Sequence, residues 1–524
     1  MKGGLLHMSE IMSPITTKSH DGTPEGDLAV EEALAVLELL RLALTRHGAI
    51  AQDVIFVHLY LSEISHFGLI NSNYRNFYGT LLPPSRSCVA IGKNVLPGGR
   101  GVMLDCMVQC GSGQYMRTTK TDDPYAKAAL LNTSSLLRQV LHVQSISYWA
   151  PVCVGPYSQA NTLRSGLHFL AGQIGLVPAT MKLRNTWTGQ LEQCWTNVAH
   201  LLDALDCGSL VNMLSCLVYV SDQVYRQGDV WKTVESICRR SVSTNGAVVP
   251  GAIECIASLD SLYGGYEDED TWREITKNEM VTDNCVPFLF VSIPEMPMGA
   301  LAEVEVICSS QRASSCLEMK SYAAAVDGSC SQLEVTAASG LDTGHDFRPT
   351  GSTLNGDIDI NISIRMIGDG CAAMAVVSAS APERSAYNED AATIDIEHLL
   401  DSMVGAFFQV GFAESSGLSI EDIVHVRLYH IGALISDSLG TERTHVIDDG
   451  MRLRLSLYSV LASRCATAGG MHACSVVPVQ AMKAVPASSS LQIKGTTFLV
   501  MQVLLADPVH MEDEMWIHHG REAI

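Results

Sequence analysis

Apolar and mixed positions alternate along Val54-Ile55-Phe56-Val57-His58-Leu59-Tyr60-Leu61-Ser62-Glu63. The pattern returns as Met213-Leu214-Ser215-Cys216-Leu217-Val218-Tyr219-Val220-Ser221-Asp222 and as Ile423-Val424-His425-Val426-Arg427-Leu428-Tyr429-His430-Ile431-Gly432. A period of two predicts strands, with residues 55, 57 and 59, residues 214, 216 and 218, and residues 424, 426 and 428 each sharing one face. Ahead of each strand the period becomes helical. Leu37, Leu40 and Leu44 form one stripe, Leu191, Trp195, Val198, Leu202 and Leu205 a second, and Leu400, Met403, Phe407 and Val410 a third. Gly48, Gly208 and Gly411 follow them. A helix with a single apolar stripe, closed by a glycine that tolerates a left-handed cap, is expected to lie on a sheet.

Two further strands are expected after each of these: 87–91 and 102–108, 289–293 and 302–307, 475–479 and 498–505. Three elements repeated in one order three times predict an α+β chain of three tandem domains, each a mostly antiparallel sheet covered on one face by helices. The expected boundaries are 1–110 for a first domain lacking its initial strand, 111–139 for a polar linker, 140–310, 311–506 and a tail over 507–524. An acidic loop at 266–270 and a glycine-rich loop at 340–356 interrupt the second and third domains.

Composition narrows the function. With 524 residues and 47% apolar content there is material for three cores. A formal net charge of −22 argues against nucleic acid and anionic membranes as partners. No apolar run is long enough to span a bilayer and the N-terminus has no signal-peptide core, so a cytoplasmic location is expected. The 16 cysteines contain no Cys-x-x-Cys and mostly occupy apolar positions, where cysteine behaves as a small hydrophobe. No metal site is expected.

Two motifs carry chemistry. Gly155-Pro156-Tyr157-Ser158-Gln159-Ala160, followed by Phe169-Leu170-Ala171-Gly172-Gln173-Ile174-Gly175, resembles the N-terminal signature of the Rid family, also called YjgF or endoribonuclease L-PSP-like proteins. Pro84-Ser85-Arg86-Ser87-Cys88-Val89 resembles that family's later Pro-x-Arg-Ser-x-Val motif. The resemblance implies Rid/chorismate-mutase-like domains that in the family assemble as trimers, with a pocket at each interface. Many members hydrolyse enamines and imines; an arginine holds the substrate carboxylate and a late-strand carboxylate places water. Carried over, this makes Arg86, Asp105 and Glu303 the catalytic candidates and Arg86, Tyr157 and Gly172 the substrate-binding ones. A guanidinium can grip a carboxylate with two parallel charge-assisted bonds, so Arg86 suits that role. An ordinary salt-bridged arginine, a packed tyrosine and polar strand ends are the bland alternatives. Phe288 stands where the second domain should have its arginine, and Ala473 and Met501 leave the third without either group. Three domains in one chain predict a monomer packed as an intramolecular pseudo-trimer, with Arg86 and Tyr157 facing one composite pocket that takes a small carboxylate.

The order of segments, above all Val140-Leu141-His142-Val143-Gln144-Ser145-Ile146-Ser147-Tyr148-Trp149-Ala150-Pro151 running into Gly155, also looks like the C-terminal half of eukaryotic diphthine–ammonia ligases. In that family an ATP-pyrophosphatase domain with a Ser-Gly-Gly-Lys-Asp-Ser loop precedes this region, and the enzyme amidates diphthine on elongation factor 2 with ATP and ammonium. This chain has no such run. ATP and magnesium are therefore expected only for a domain outside it, whether the chain is a fragment or one half of a split enzyme. Three readings stay open: an accessory ligase region whose partners are elongation factor 2 and a separate ATP-pyrophosphatase domain, a stand-alone Rid-type imine deaminase, and a catalytically silent assembly module.

Overall fold

The computed structural model describes residues 5–14, 25–79, 82–109 apart from 94, 138–163, 166–246 apart from 229, 286–310 and, beyond these, the C-terminal elements named below. The expected linker up to residue 137, the loops at 266–270 and 340–356, Gly411, Ala473 and the tail lie outside the described residues. Among the described residues no helix is long and apolar enough to cross a membrane.

Three large sheets and one two-stranded ribbon, with their helices, make up the described α+β structure. The first contains β1 (Leu5–Met12), β2 (Val54–Leu61), β3 (Ser85–Ala90) and β4 (Val102–Gln109) in the order β1-β4-β2-β3, with helices α1 (Glu25–Arg46) and α2 (Phe67–Tyr78). The second contains β5 (Arg138–Leu141), β6 (Ala160–Leu163), β7 (Leu167–Leu170), β8 (Gln173–Ile174), β11 (Met213–Ser221), β12 (Phe288–Ile293) and β13 (Ala302–Ser309). Between β8 and β11 a small ribbon of β9 (Leu176–Val177) and β10 (Lys182–Leu183) leads into the helix Trp187–Ala204. The third sheet has β14 (Glu318–Val326), β15 (Leu333–Ala337), β16 (Ile358–Ile367), β17 (Ala372–Ala381), β18 (Ile423–Ile431), β19 (Cys474–Val479) and β21 (Thr496–Ala506). β20 (Ala481–Val485) leaves this sheet and pairs antiparallel with β12 of the second.

The sheets share an internal register. In each, a central strand pairs in parallel with one neighbour and antiparallel with another: β2 with β3 and β4, β11 with β12 and β13, β18 with β19 and β21. Each antiparallel pair also carries a one-residue irregularity at its start, between Val54 and Phe56, Met213 and Ser215, and Ile423 and His425. That bulge corrects one expectation. Val57 and Leu59 pack under the helices of their sheet, Cys216 and Val218 under the helix Trp187–Ala204, and Val426 and Leu428 under the helix Ile396–Gln409. Ile55, Leu214 and Val424 instead meet in a separate cluster to which all three sheets contribute. An extra residue inverts the alternation, so the face that begins at 57 does not extend back to 55.

The helices form where their stripes predict. In the helix Trp187–Ala204, Leu191, Trp195, Val198 and Leu202 are buried against β11 and β13, and the Thr186 hydroxyl accepts the Gly189 amide at 3.1 Å as an N-cap. The opposite faces of the sheets are buried as well. Tyr60, Tyr219 and Tyr429 occupy corresponding positions on β2, β11 and β18 and lie in one apolar cluster with Val89, Val291 and Val477. Two buried arginines join neighbouring sheets in the same manner. Arg138 on β5 donates to the Val54 carbonyl at 2.6 Å and to the Leu82 carbonyl at 2.7 Å, while Arg365 on β16 donates to the carbonyls of Met213 and Val211. Val54 and Met213 are the corresponding first residues of β2 and β11.

Candidate functional site

Arg86 lies on β3, in register with Val57, and only 3% of it is exposed. Its guanidinium carbon sits 4.6 Å from the ring centre of Tyr74, 5.2 Å from that of Phe67 and 5.3 Å from that of Tyr157, so aromatic faces surround the charge. Phe67 and Tyr74 come from α2 of the first sheet's layer; Tyr157 comes from the segment that leads into β6 of the second. Both terminal nitrogens of Arg86 are buried and make no hydrogen bond within the protein. Leaving such donors unpaired is costly, and both remain able to donate to an anion. Gly155 explains how backbone can pass so close: a Cβ there would stand 2.7 Å from Arg86 Nη2.

The edge of the first sheet is docked on the second by main-chain bonds. The Ser158 amide donates to the Pro84 carbonyl at 3.1 Å and the Gly172 amide to the Arg86 carbonyl at 3.2 Å. The Ser85 hydroxyl donates to the Phe169 carbonyl at 2.8 Å. Next to Arg86, the Ser87 hydroxyl donates to Glu303 Oε1 on β13 at 2.8 Å. A Cβ on Gly172 would fall 1.7 Å from that same Glu303 oxygen, so only glycine leaves room for the carboxyl. Burial pushes the Glu303 carboxyl up to about 8; the charge of Glu305 adds to this, against the Ser87 bond and the Arg86 charge. Burial likewise raises the Tyr157 phenol.

Arg86, Tyr157, Gly172 and Glu303 are thus gathered at one junction between two sheets, and Asp105 is not among them. Asp105 accepts the Glu10 amide at 2.7 Å and lines a different space. The strand register gives the reason. Asp105 pairs with His58 and Glu305 with Leu217, which makes Glu305 the counterpart of Asp105; Glu303, opposite Tyr219, corresponds to Met103, opposite Tyr60. Treating Asp105 and Glu303 as equivalent was therefore two residues out of register. In the third sheet the corresponding positions are Cys474 and Val500, one residue from the expected Ala473 and Met501, and again neither is an arginine or a carboxylate. Phe288 does stand at the position of Arg86, opposite Cys216.

The space beside Asp105 is a cavity of about 20 Å³ lined by residues of all three sheets, among them His7, His58, Glu305, His425 and Arg427. It has room for about one water molecule and does not include Arg86. Here His58 Nε2 lies 2.6 Å from Glu305 Oε2, Arg427 Nη2 lies 2.5 Å from His58 Nδ1, and Arg427 Nη1 lies 3.7 Å from Glu305 Oε1. Burial holds the His7 and His425 imidazoles well below their usual range, so both are neutral. Sequence reasoning passed over this cluster. Its trace along the chain is that His58 and Arg427 are polar residues at the position that Leu217 holds on β11.

At this junction one sheet supplies an arginine, and its neighbour supplies glycines, a tyrosine and a carboxyl. Solved Rid-type structures align with about a third of the chain. RidA from an Antarctic Psychrobacter shows 20% identity and a TM-score of 0.21 over 33% of this chain and 98% of its own. TdcF of E. coli with bound serine shows 16% identity and a TM-score of 0.22 over the same shares. Part of the chain is similar to diphthine–ammonia ligases: 31% identity over 222 residues with that of Schizosaccharomyces pombe, and 36% over 141 residues with that of Saccharomyces cerevisiae. These matches cover 42% and 25% of this chain but 30% and 18% of the ligases, so the chain spans less than a third of either relative. A RutC family protein of Aquifex aeolicus is 38% identical over 73 residues, 14% of this chain and 57% of that protein. No protein-family model matches the chain.

Proposed function

We propose that this chain acts in diphthamide biosynthesis as the Rid-like part of a diphthine–ammonia ligase, with a small-carboxylate site at Arg86. The similarity over 222 residues to the fission-yeast ligase carries this reading. In the proposed arrangement the three sheets close around a common axis as an intramolecular counterpart of a trimer, the three corresponding tyrosines and the Arg427–His58–Glu305 cluster at its centre. The chain is then a monomer, and sedimentation equilibrium should return the mass of one 524-residue chain at all loadings. A concentration-dependent trimer would contradict it.

ATP is handled elsewhere in this scheme, and elongation factor 2 and an ATP-pyrophosphatase domain are the partners. Without a Ser-Gly-Gly-Lys-Asp-Ser phosphate cradle, and with a net charge of −22, the chain is expected to bind no magnesium–ATP in calorimetric titration. A saturable micromolar site would overturn that assignment. The test of the function is a chimera in which this chain replaces the corresponding region of the fission-yeast ligase. Restored amidation of diphthine, read by mass spectrometry of the elongation factor 2 peptide in cells lacking the native enzyme, supports it. A soluble chimera that leaves the acid unconverted refutes it.

A second reading, a Rid-type imine deaminase, rests on Glu303. Its carboxyl, pushed up to about 8, holds a proton at neutral pH beside the Arg86 guanidinium, an arrangement suited to donate to an imine nitrogen or to place water. Either reading predicts one pH dependence. A ligand carboxylate on Arg86 is tolerated while Glu303 is neutral and repelled once it ionises. Pyruvate affinity should therefore be constant below about pH 7 and fall by up to roughly tenfold per pH unit above the Glu303 midpoint near 8. Glu303→Gln should abolish the fall, and an affinity that rises with pH would contradict the assignment.

A further inference from the structure

The third sheet offers neither an arginine nor a carboxylate at the pocket positions, yet it is joined to the Arg86 site by a continuous line of buried polar groups. Arginine can only donate, so the 2.5 Å contact from Arg427 Nη2 makes His58 Nδ1 the acceptor and leaves the imidazole proton on Nε2. That proton points at Glu305 Oε2, 2.6 Å away. Glu305 and Glu303 are two residues apart on β13 and so share a face of the strand. Across from them, His58 and Ser87 are register partners on β2 and β3, and Ser87 donates to Glu303 at 2.8 Å. Arg427, His58, Glu305, Ser87 and Glu303 are each at most 5% exposed.

We propose that Arg427 is a positioning residue for the composite site: through His58 it fixes Glu305 as a carboxylate, and that fixed charge adds to burial in holding Glu303 neutral. The third sheet thereby acts on a site to which, among the described residues, it supplies none of the groups named above. Two neighbouring buried carboxyls cannot both ionise cheaply, and whichever is better paired takes the charge. For Glu305 burial is the largest influence and opposes ionisation, but His58 and Arg427 together outweigh it and hold the carboxyl below its usual range. The groups facing Glu305 are His58, Arg427 and Ser87, with Tyr60, Tyr219, Tyr429 and Cys216 around them. Those facing Glu303 are Arg86, Ser87 and Cys88 from β3, Tyr157, Cys194 from the helix Trp187–Ala204, and Glu305 itself. Arg86 is the cation beside Glu303; the cation beside Glu305 is Arg427, while burial holds His58 below its usual range, so that it acts on Glu305 as a neutral hydrogen-bond donor.

The proposal builds on the composite site for its use, and its test needs no ligand. The chain is labelled with carbon-13 at the glutamate carboxyls, and Glu303→Gln and Glu305→Gln identify the two signals. In the unaltered chain Glu303 is expected to titrate near 8 while Glu305 stays ionised through the neutral range. In Arg427→Gln the Glu305 midpoint should rise by at least roughly one pH unit and the two carboxyls should titrate together as a coupled pair. Arg427→Lys, which keeps the charge, should shift it less. His58→Leu, which places at residue 58 the side chain that Leu217 has in the second sheet, should act like Arg427→Gln and covers the case in which that variant fails to fold. Unmoved Glu303 and Glu305 midpoints in both variants would overturn the relay. Absence of pyruvate binding would instead refute the site reading above and leave these midpoints measurable.

Discussion

Replacing Arg86 with alanine should weaken pyruvate binding by at least about a hundredfold. Each charge-assisted hydrogen bond to a carboxylate contributes roughly 1.5–3 kcal/mol, and a forked pair lost together exceeds the ~2.7 kcal/mol that corresponds to that factor. The structure supports a forked contact because both terminal nitrogens are buried and unpaired. Tyr74, Phe67 and Tyr157 hold the guanidinium in place, so little ordering remains to be done on binding. Arg86→Lys keeps the charge but not the fork and should fall between the two. Calorimetry of the three chains checks the series; equal affinity in all of them would leave Arg86 as a packing residue between the two sheets.

The second large effect is on stability. Glu305→Ala leaves the buried Arg427 and His58 without their acceptor and should cost about 3–5 kcal/mol in urea unfolding, because an uncompensated charge remains in the interior. Removing the whole cluster, as Glu305→Leu with His58→Leu and Arg427→Leu, should cost far less, since the apolar clusters on either side can accept the added carbon. A loss within about 0.5 kcal/mol of zero for Glu305→Ala would mean that the cluster is solvated and does not join the sheets.

Much of this architecture was legible along the chain, and the misses have physical causes. The central strands were expected at 54–63, 213–222 and 423–432 and occur at Val54–Leu61, Met213–Ser221 and Ile423–Ile431, because long apolar runs with β-branched residues have few alternatives. The bulge that separates Ile55 from Val57 was invisible: it depends on the pairing partner, and no turn residue or proline marks it. The meeting of Arg86 with Tyr157 was readable from two motifs of one family split across the chain. The misplacement of Asp105 shows the limit of that argument, because a strand position counted from sequence is secure only to a residue or two and each step inverts the face. The Arg427–His58–Glu305 cluster was missed for a different reason. Its members are separated by 247 and 369 positions, and nothing local distinguishes a polar residue that pairs across sheets from one at a strand edge.

If this chain forms one carboxylate site from residues of two sheets, a ligand complex will show it. The most direct measurement is a crystal structure of the chain grown with pyruvate. The carboxylate is expected forked on Arg86, between the rings of Tyr74 and Tyr157, with the keto oxygen toward Glu303 and Gly172. Pyruvate ordered elsewhere, or Arg86 turned onto a protein acceptor with its aromatic cage filled by side chains, would contradict it.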